Sequence, residues 1–189
     1  NNGEIAQVYV KDSHKGIIDK ETWNAVQEEF ERREKFMQRH GTDRYSYGSE
    51  CNPFCEKIFC GECGSLFTRH SWKSRGIIQW QCKNHRKDGK VACTNAYLDN
   101  ADLEKGFVKA FNRLVSEREK NMERWNAMKS DGTPLEKIRA VQMMEATESG
   151  QLQKYVPEAA QLVLEEIIIF GAKKYEFAFL EGSKVKVSV

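Results

Sequence analysis

Hydrophobic side chains recur at helical spacing in three stretches of the chain. Asp19 is a suitable N-cap for the first stretch, and the apolar positions after it predict an amphipathic helix over about residues 20–38. A longer apolar stripe predicts one long helix, which is broken before Pro134, and a shorter stripe predicts another helix after it. The positions that define the three helices are Trp23, Val26, Phe30 and Met37; Leu103, Phe107, Ala110, Leu114, Met122, Trp125 and Met128; and Leu135, Ile138, Val141 and Met144.

Strands are predicted where apolar and polar residues alternate. Residues 65–70 and 76–81 fit two strands of a hairpin, and residues 7–10 fit a short isolated strand. Residues 159–166 are predicted to be helical and to continue into a strand at 167–170. A closing β-hairpin is predicted from Tyr175, Phe177 and Phe179, a turn at Glu181 and Gly182, and Val185, Val187 and Val189.

The composition is that of an ordinary globular protein, with 40% hydrophobic and 31% charged residues. No apolar run approaches the roughly 18 residues of a membrane span, so we expect no membrane partner. The start of the chain lacks the basic and apolar regions of a signal peptide. It also lacks an initiator Met, and we therefore expect the sequence to be a piece of a longer protein.

Six cysteines are present, and their spacing favours metal binding over disulfides. Cys60 and Cys63 form a Cys-x2-Cys turn in which Gly61 and Gly64 let the backbone amides approach the sulfurs. Cys82 and Cys93 can supply the two further ligands of a tetrahedral zinc ion. Four ligands leave no open coordination position, so one structural Zn²⁺ per chain is predicted.

Alternatives to this ligand set remain open at the level of sequence. His85 follows Cys82 at a spacing that is common between metal ligands, so it could replace Cys93. It lies in a basic loop, however, and such loops are typically solvated. The four thiols could instead be buried and free. Cys51 and Cys55 are interpreted as bystander thiols, with a second metal or a Cys51–Cys55 bridge as the alternatives.

Positive charge is concentrated in the cysteine-containing segment, although the whole chain has a net charge of only +2. Seven Lys or Arg residues and one acidic residue, Asp88, lie between Leu66 and Cys93. Such a patch indicates a polyanionic partner, and a two-stranded ribbon fits the major groove of double-stranded DNA. The predicted DNA-binding residues are Arg69, His70, Ser71, Lys73 and Arg75 near the hairpin tip, and Lys83, Arg86, Lys87 and Lys90 in the second loop.

Within this set, Arg69 or Arg75 is predicted to contact bases, because arginine can bond guanine through two donors. The second-loop lysines and Arg86 are predicted to contact phosphates. A solvated loop that is basic only for solubility is the alternative. Trp72 and Trp80 are expected to pack on a ribbon face rather than to stack on bases.

The order of these motifs resembles the C-terminal half of the large serine recombinases, the class of phage integrases and mobile-element transposases. The resemblance is carried by VKDSHKGIIDKETWNAVQEEFERR, NPFCEKIFCGECGSLFTRHSW, IIQWQCKN, TNAYLDNADLE and the closing LVLEEIIIF and YEFAFLEGSKVKV. It implies that Cys60, Cys63, Cys82 and Cys93 hold zinc and that the ribbon docks in the major groove of an attachment site. It also implies a bacterial nucleoid location and further recombinase subunits as partners.

The resemblance divides the chain into four parts. Residues 1–49 correspond to the end of the recombinase domain with a lead-in strand, a helix and a linker, and residues 50–98 to the zinc ribbon. Residues 99–156 form a helical hairpin, since the coiled-coil arm of the family is shortened or absent here, and residues 157–189 form the closing helix and hairpin. The expected fold class is α+β: a zinc-bound β-hairpin inserted in a small sheet with several helices, including one long helix.

Nothing in the sequence resembles the catalytic domain of a serine recombinase, so we expect this piece to bind DNA without cleaving it. The rival hypotheses are a zinc-stabilised protein–protein interaction module with incidental basic loops, and a redox switch that uses the six cysteines.

Overall fold

The computed structural model of the chain describes residues 16–43, 45, 52–87, 90–95, 97–171 and 173–189. The strand predicted at 7–10, Cys51 and most of the linker after the first helix lie outside these residues. The described residues form five α-helices: α1 (Lys20–His40), α2 (Asn100–Ser116), α3 (Arg118–Asp131), α4 (Pro134–Glu148) and α5 (Pro157–Val163). None of them combines the length and the apolar character that crossing a bilayer requires.

The first helix begins and ends where the sequence places its signals. Asp19 caps α1 by accepting a hydrogen bond from the backbone N–H of Thr22 at 2.8 Å. Gly41 ends the helix in the left-handed region, with φ 59°, which a residue with a Cβ rarely adopts. The prediction of a helix over about 20–38 is confirmed.

The predicted long helix is present as two helices, α2 and α3, which are separated at Glu117. Two side chains donate hydrogen bonds to backbone carbonyls near the break. The Ser116 hydroxyl donates to the Asn112 carbonyl at 2.8 Å, and the Asn121 side-chain amide donates to the Leu114 carbonyl at 3.4 Å. The apolar stripe is nevertheless core, as predicted, because Leu103, Phe107, Ala110, Leu114 and Trp125 are buried.

The part of the chain that the structure describes contains nine strands in three sheets. The strands are β1 (Ile58–Cys60), β2 (Phe67–Trp72), β3 (Ile77–Cys82), β4 (Arg86–Lys87), β5 (Lys90–Val91), β6 (Leu98–Asp99), β7 (Leu164–Ile169), β8 (Lys174–Phe179) and β9 (Lys184–Ser188). The largest sheet has the order β1-β7-β8-β9, in which β1 runs parallel to β7 and the other pairs are antiparallel. The ribbon sheet has the order β2-β3-β6, and β4 pairs with β5.

One boundary predicted from sequence is wrong. The helix predicted at 159–166 ends at Val163, and the strand begins at Leu164 instead of residue 167. Glu165 and Glu166 are good helix formers, but here they lie inside a strand and bond Arg32 and Arg39 of α1. Pairing of β7 between two strands and these ion pairs outweigh the local helix propensity.

The ribbon is joined to the large sheet through β1. Cys60 ends β1 and pairs with Ile169 of β7, so the first metal-ligand candidate is itself part of the four-stranded sheet. The hairpin β2–β3 then extends from this base, as the sequence predicts. The α+β class, with a cysteine-based ribbon connected to a small sheet and several helices, is confirmed.

Candidate metal centre and nucleic-acid interface

Four cysteine sulfurs meet at the base of the ribbon. Cys60, Cys63, Cys82 and Cys93 place their Sγ atoms within 4.8 Å of one another. Cys60 comes from the end of β1, Cys63 from the following turn, Cys82 from the end of β3 and Cys93 from the segment after β5. The structure therefore brings together all four cysteines that the sequence singles out.

The spacing of the sulfurs fits a tetrahedral metal ion. A Zn–S bond of about 2.3 Å corresponds to sulfur–sulfur edges of about 3.8 Å in a regular tetrahedron. The Cys63–Cys82 pair is at 3.4 Å and the Cys60–Cys93 pair is at 3.6 Å. The five cysteines among the described residues form no disulfide with one another. A cluster of four thiols at these distances could hold one metal ion.

The thiols also have the electrostatics of a cation site. Burial raises the pKa of Cys63, but hydrogen bonds from the backbone N–H of Ser65 and the Cys82 thiol outweigh it and lower the value to about 7. Burial raises the pKa of Cys93 to about 11 and also raises the pKa of Cys82. Without a cation the cluster therefore carries few thiolates near neutral pH, because adjacent sulfur charges repel one another. A divalent ion would allow all four to ionise.

Asn95 connects the cluster to the large sheet, a role that the sequence analysis missed. Its side-chain amide is buried and donates to Cys60 Sγ at 3.1 Å and to the Ile169 carbonyl at 2.9 Å. Buried donors to ligand sulfurs orient the ligand and stabilise its charge. The only sequence signal for this role is that Asn95 stands two residues after Cys93.

Gly61 permits the close approach of the first knuckle to the end of β7. A Cβ at this position would lie 2.5 Å from a ring carbon of Phe170 and 3.0 Å from the Ile169 carbonyl oxygen. The Gly61 N–H donates to that same carbonyl at 2.8 Å. The glycine predicted for turn geometry is thus also required by packing.

Two questions about the other ligand candidates are now answered in part. His85 is not in the thiol cluster formed by the described residues, and its Nδ1 lies 3.0 Å from the Cys93 carbonyl oxygen. It therefore supports the position of Cys93. Cys55 is partly buried and packs against the hydrophobic core, whereas Cys51 lies outside the described residues. That both are bystander thiols therefore stays a prediction, with a second metal or a Cys51–Cys55 bridge as the alternatives.

The hairpin β2–β3 divides the predicted base-reading residues between two faces. Cross-strand partners share a face, and Arg69 pairs with Trp80, Ser71 with Ile78 and His70 with Gln79. Arg69 and Ser71 therefore lie on one face, and His70 lies on the other. Arg75 lies in the short 3₁₀ turn Lys73–Arg75 at the hairpin tip and is exposed.

The two tryptophans of the hairpin differ in environment. Trp80 is buried, as expected, and its indole N–H donates to Asn100 Oδ1 at 3.0 Å. Trp72 is 43% exposed near the tip and stacks with His70 at 6.1 Å between ring centroids. Trp72 thus packs on a side chain of the ribbon face, as expected, and leaves part of its ring exposed because the hairpin extends beyond the core at this point.

The second loop presents cations to solvent. Lys83, Arg86 and Lys90 are exposed, and the last two belong to the small hairpin β4–β5. The side chains of Lys73 and Lys87 lie outside the part of the chain that the structure describes. The DNA contacts assigned to all nine residues remain predictions.

Comparison with known proteins gives one match, and it covers this region. Residues 53–112 match the family model of the recombinase zinc beta ribbon domain, and the match includes all four clustered cysteines. Neither the search of curated proteins nor that of solved structures gave a match. The matched family suggests zinc as the ion for the thiol cluster. Residues 53–112 are therefore similar to a recombinase zinc-ribbon domain.

Proposed function

We propose that this chain binds double-stranded DNA through a structural zinc ribbon and positions a site-specific serine recombinase on its attachment site. The observation that carries the proposal is the thiol cluster at the base of an exposed, cation-bearing hairpin, in a segment that matches the recombinase zinc ribbon. Zn²⁺ held by the four thiolates fixes the hairpin, and DNA cleavage is assigned to a catalytic domain outside this chain. Further recombinase subunits are its other partners.

The proposed mode of binding places the hairpin in the major groove. A two-stranded ribbon presents one face to the base edges, so Arg69 and His70 cannot both lie on the reading face. We assign reading to the exposed outer part of the face of Arg69 and Ser71, beyond the buried Trp80, together with Arg75 at the tip. Arginine is the better candidate because it can bond guanine N7 and O6 together.

The second loop is assigned to the DNA backbone. Lys83, Arg86 and Lys90 are exposed on a loop next to the metal cluster, and phosphate contacts of this kind set affinity without reading sequence. Each phosphate contact removed should lower the slope of log affinity against log salt by about 0.9.

The test is a binding titration of zinc-loaded protein with a cognate half-site and a random duplex. We expect Arg69→Ala and Arg75→Ala each to cost about 1–3 kcal/mol on the cognate duplex and to reduce the preference for it. His70→Ala should change the preference little, and Lys120→Ala, at an exposed position on α3, serves as the matched control.

Two outcomes would contradict the assignment. A larger loss of preference in His70→Ala than in Arg69→Ala would place the opposite face against the bases. Equal, weak retention of both duplexes by the unmodified protein would favour the protein–protein interaction module instead.

A further inference from the structure

A second polar site lies in a cleft whose lining includes none of the clustered cysteines. The cleft has a volume of about 340 Å³ and lies among α1, α4, α5 and the residue before β1. Its polar lining includes Lys57, Arg139, Gln142, Gln161 and Glu158.

Lys57 is the most unusual residue of this cleft. It is only 3% exposed, and its ammonium group donates to the Leu164 carbonyl at 2.8 Å. Within the described residues it forms no ion pair, although an ammonium group has three donors. Burial of the group, followed by repulsion from Arg32 and Arg139, lowers the pKa of Lys57 to about 8. Glu165 attracts the ammonium group and offsets part of this lowering. A buried lysine that no carboxylate bonds directly is costly unless something else compensates its charge.

Arg139 supplies a second cation to the same cleft. It donates to Glu29 Oε2 at 3.1 Å and to Gln142 Oε1 at 2.8 Å, while its buried Nε has no acceptor among the residues that the structure describes. The bond to Gln142 uses the amide oxygen and leaves the amide NH₂ as a donor. The cleft thus combines an ammonium, a guanidinium and an oriented amide.

The carboxylates of the region are already engaged by other cations. Glu29 is bonded by Arg32, Arg33 and Arg139; burial raises its pKa, but these hydrogen bonds and charges lower it to about 2. Glu165 pairs with Arg32 at 2.9 Å. Four cations, Lys57, Arg32, Arg33 and Arg139, therefore exceed the three carboxylates Glu29, Glu165 and Glu158 by one positive charge. Glu158 lies at the exposed rim, where water weakens its effect.

We propose that this cleft binds an oxyanion of the phosphate type. A tetrahedral phosphate presents four oxygens in different directions, so it can bond Lys57, Arg139 and Gln142 at once. The ligand is a free phosphate ion or a phosphodiester group of DNA, which share this chemistry. The proposal does not depend on the hairpin's reading of bases.

The first test compares the melting temperature of the zinc-loaded chain in phosphate and in chloride at equal ionic strength. We expect phosphate at about five times its Kd to raise the melting temperature by about 2–4 °C. Lys57→Met should abolish the rise, whereas Lys137→Met, on the same helix as Arg139 but ion-paired with Glu21 at its surface, should keep it. No rise, or a rise that persists in Lys57→Met, overturns the proposal.

A second measurement needs no substitution and covers the case in which Lys57→Met does not fold. In ¹H–¹⁵N spectra of the unmodified protein, phosphate should shift the side-chain signals of Arg139 and Gln142 in a saturable way. Signals that do not move on replacing chloride by phosphate overturn the proposal.

A DNA-binding titration distinguishes the two sources of the ligand. If a DNA phosphate occupies the cleft, Lys57→Met lowers the salt slope of duplex binding by about 0.9, and inorganic phosphate competes with the duplex. If the ligand is a free ion, the slope stays the same while the phosphate-dependent melting shift is still lost. Either result supports an oxyanion site, provided that the melting and spectral tests succeed.

Discussion

Replacing Asn95 by Ala tests whether the metal cluster and the large sheet are held together by one side chain. The substitution removes the hydrogen bond to Cys60 Sγ at 3.1 Å, worth about 1.5–3 kcal/mol when the sulfur is charged. It also removes the bond to the Ile169 carbonyl, worth about 0.5–1.5 kcal/mol, although that oxygen keeps the Gly61 N–H.

An opposing effect reduces the expected loss of stability. Asn95 Oδ1 is buried without a hydrogen-bond partner among the described residues, and its removal relieves a desolvation cost of about 1–3 kcal/mol. We therefore expect the free energy of unfolding to fall by only about 1–2 kcal/mol. Zinc affinity should fall more clearly, by about 10–100-fold, because an outer-shell donor to a ligand is lost.

The assay is competition for zinc against a chelator of known affinity, with thermal unfolding of the zinc-loaded protein in parallel. Asn84→Ala is the matched control, because Asn84 also stands two residues after a clustered cysteine. Asn84 is exposed, and only its backbone amide supports Cys82. Equal zinc affinity of the two variants would refute the role given to the Asn95 side chain.

Three further predictions concern stability. Gly61→Ala should lower the free energy of unfolding by about 1–3 kcal/mol, because the new methyl group meets the Phe170 ring; an unchanged melting temperature would contradict this packing. Glu29→Gln should lower the free energy of unfolding by about 3 kcal/mol at pH 7. This loss should shrink as pH falls from 4.5 to about 2, because Glu29, whose pKa is lowered in the folded state, stabilises the fold only while its carboxylate is ionised. Urea unfolding across this range checks it, and a pH-independent difference would be inconsistent with the ion pairs. Thr133→Ala should lower the free energy of unfolding by about 1 kcal/mol, because it removes the capping box of α4. Urea unfolding measures this, and an unchanged free energy of unfolding would show that the cap is dispensable.

The sequence was most informative where the signal is local. The Cys60-x2-Cys63 turn, the alternation in β2 and β3 and the cap at Asp19 are each encoded by a few adjacent residues, and the structure has all of them. The joining of Cys82 and Cys93 to the same cluster could be predicted because tetrahedral coordination demands four ligands.

Long-range contacts were the part that sequence could not supply. β1 is only Ile58–Cys60, too short for a periodic signal, and its parallel partner β7 comes much later in the chain. Without knowledge of that pair, Glu165 and Glu166 favour a helix. The surroundings of Lys57 and Arg139 are hidden for the same reason, since they depend on how α1 and α4 pack.

Strand β7 explains why the ribbon has a defined position relative to the rest of the chain. At its start, Glu165 bonds Arg32 and Glu166 bonds His40, both from the helix that precedes the ribbon. At its end, Ile169 accepts hydrogen bonds from Gly61 and Asn95 of the metal cluster. Side chains of α1 and the thiol cluster are therefore fixed to opposite ends of one six-residue strand.

This arrangement separates positions that hold the hairpin from positions available for recognition. Arg69 and Arg75 lie beyond the anchored base and are exposed, so substituting them should change DNA affinity while leaving the melting temperature of the zinc-loaded protein nearly unchanged. Asn95 lies within the base, so its loss should alter zinc affinity first and DNA affinity only as a consequence. A variant at Arg69 that lost zinc as readily as Asn95→Ala would show that the hairpin and its base are one cooperative unit, and the division of roles would not hold.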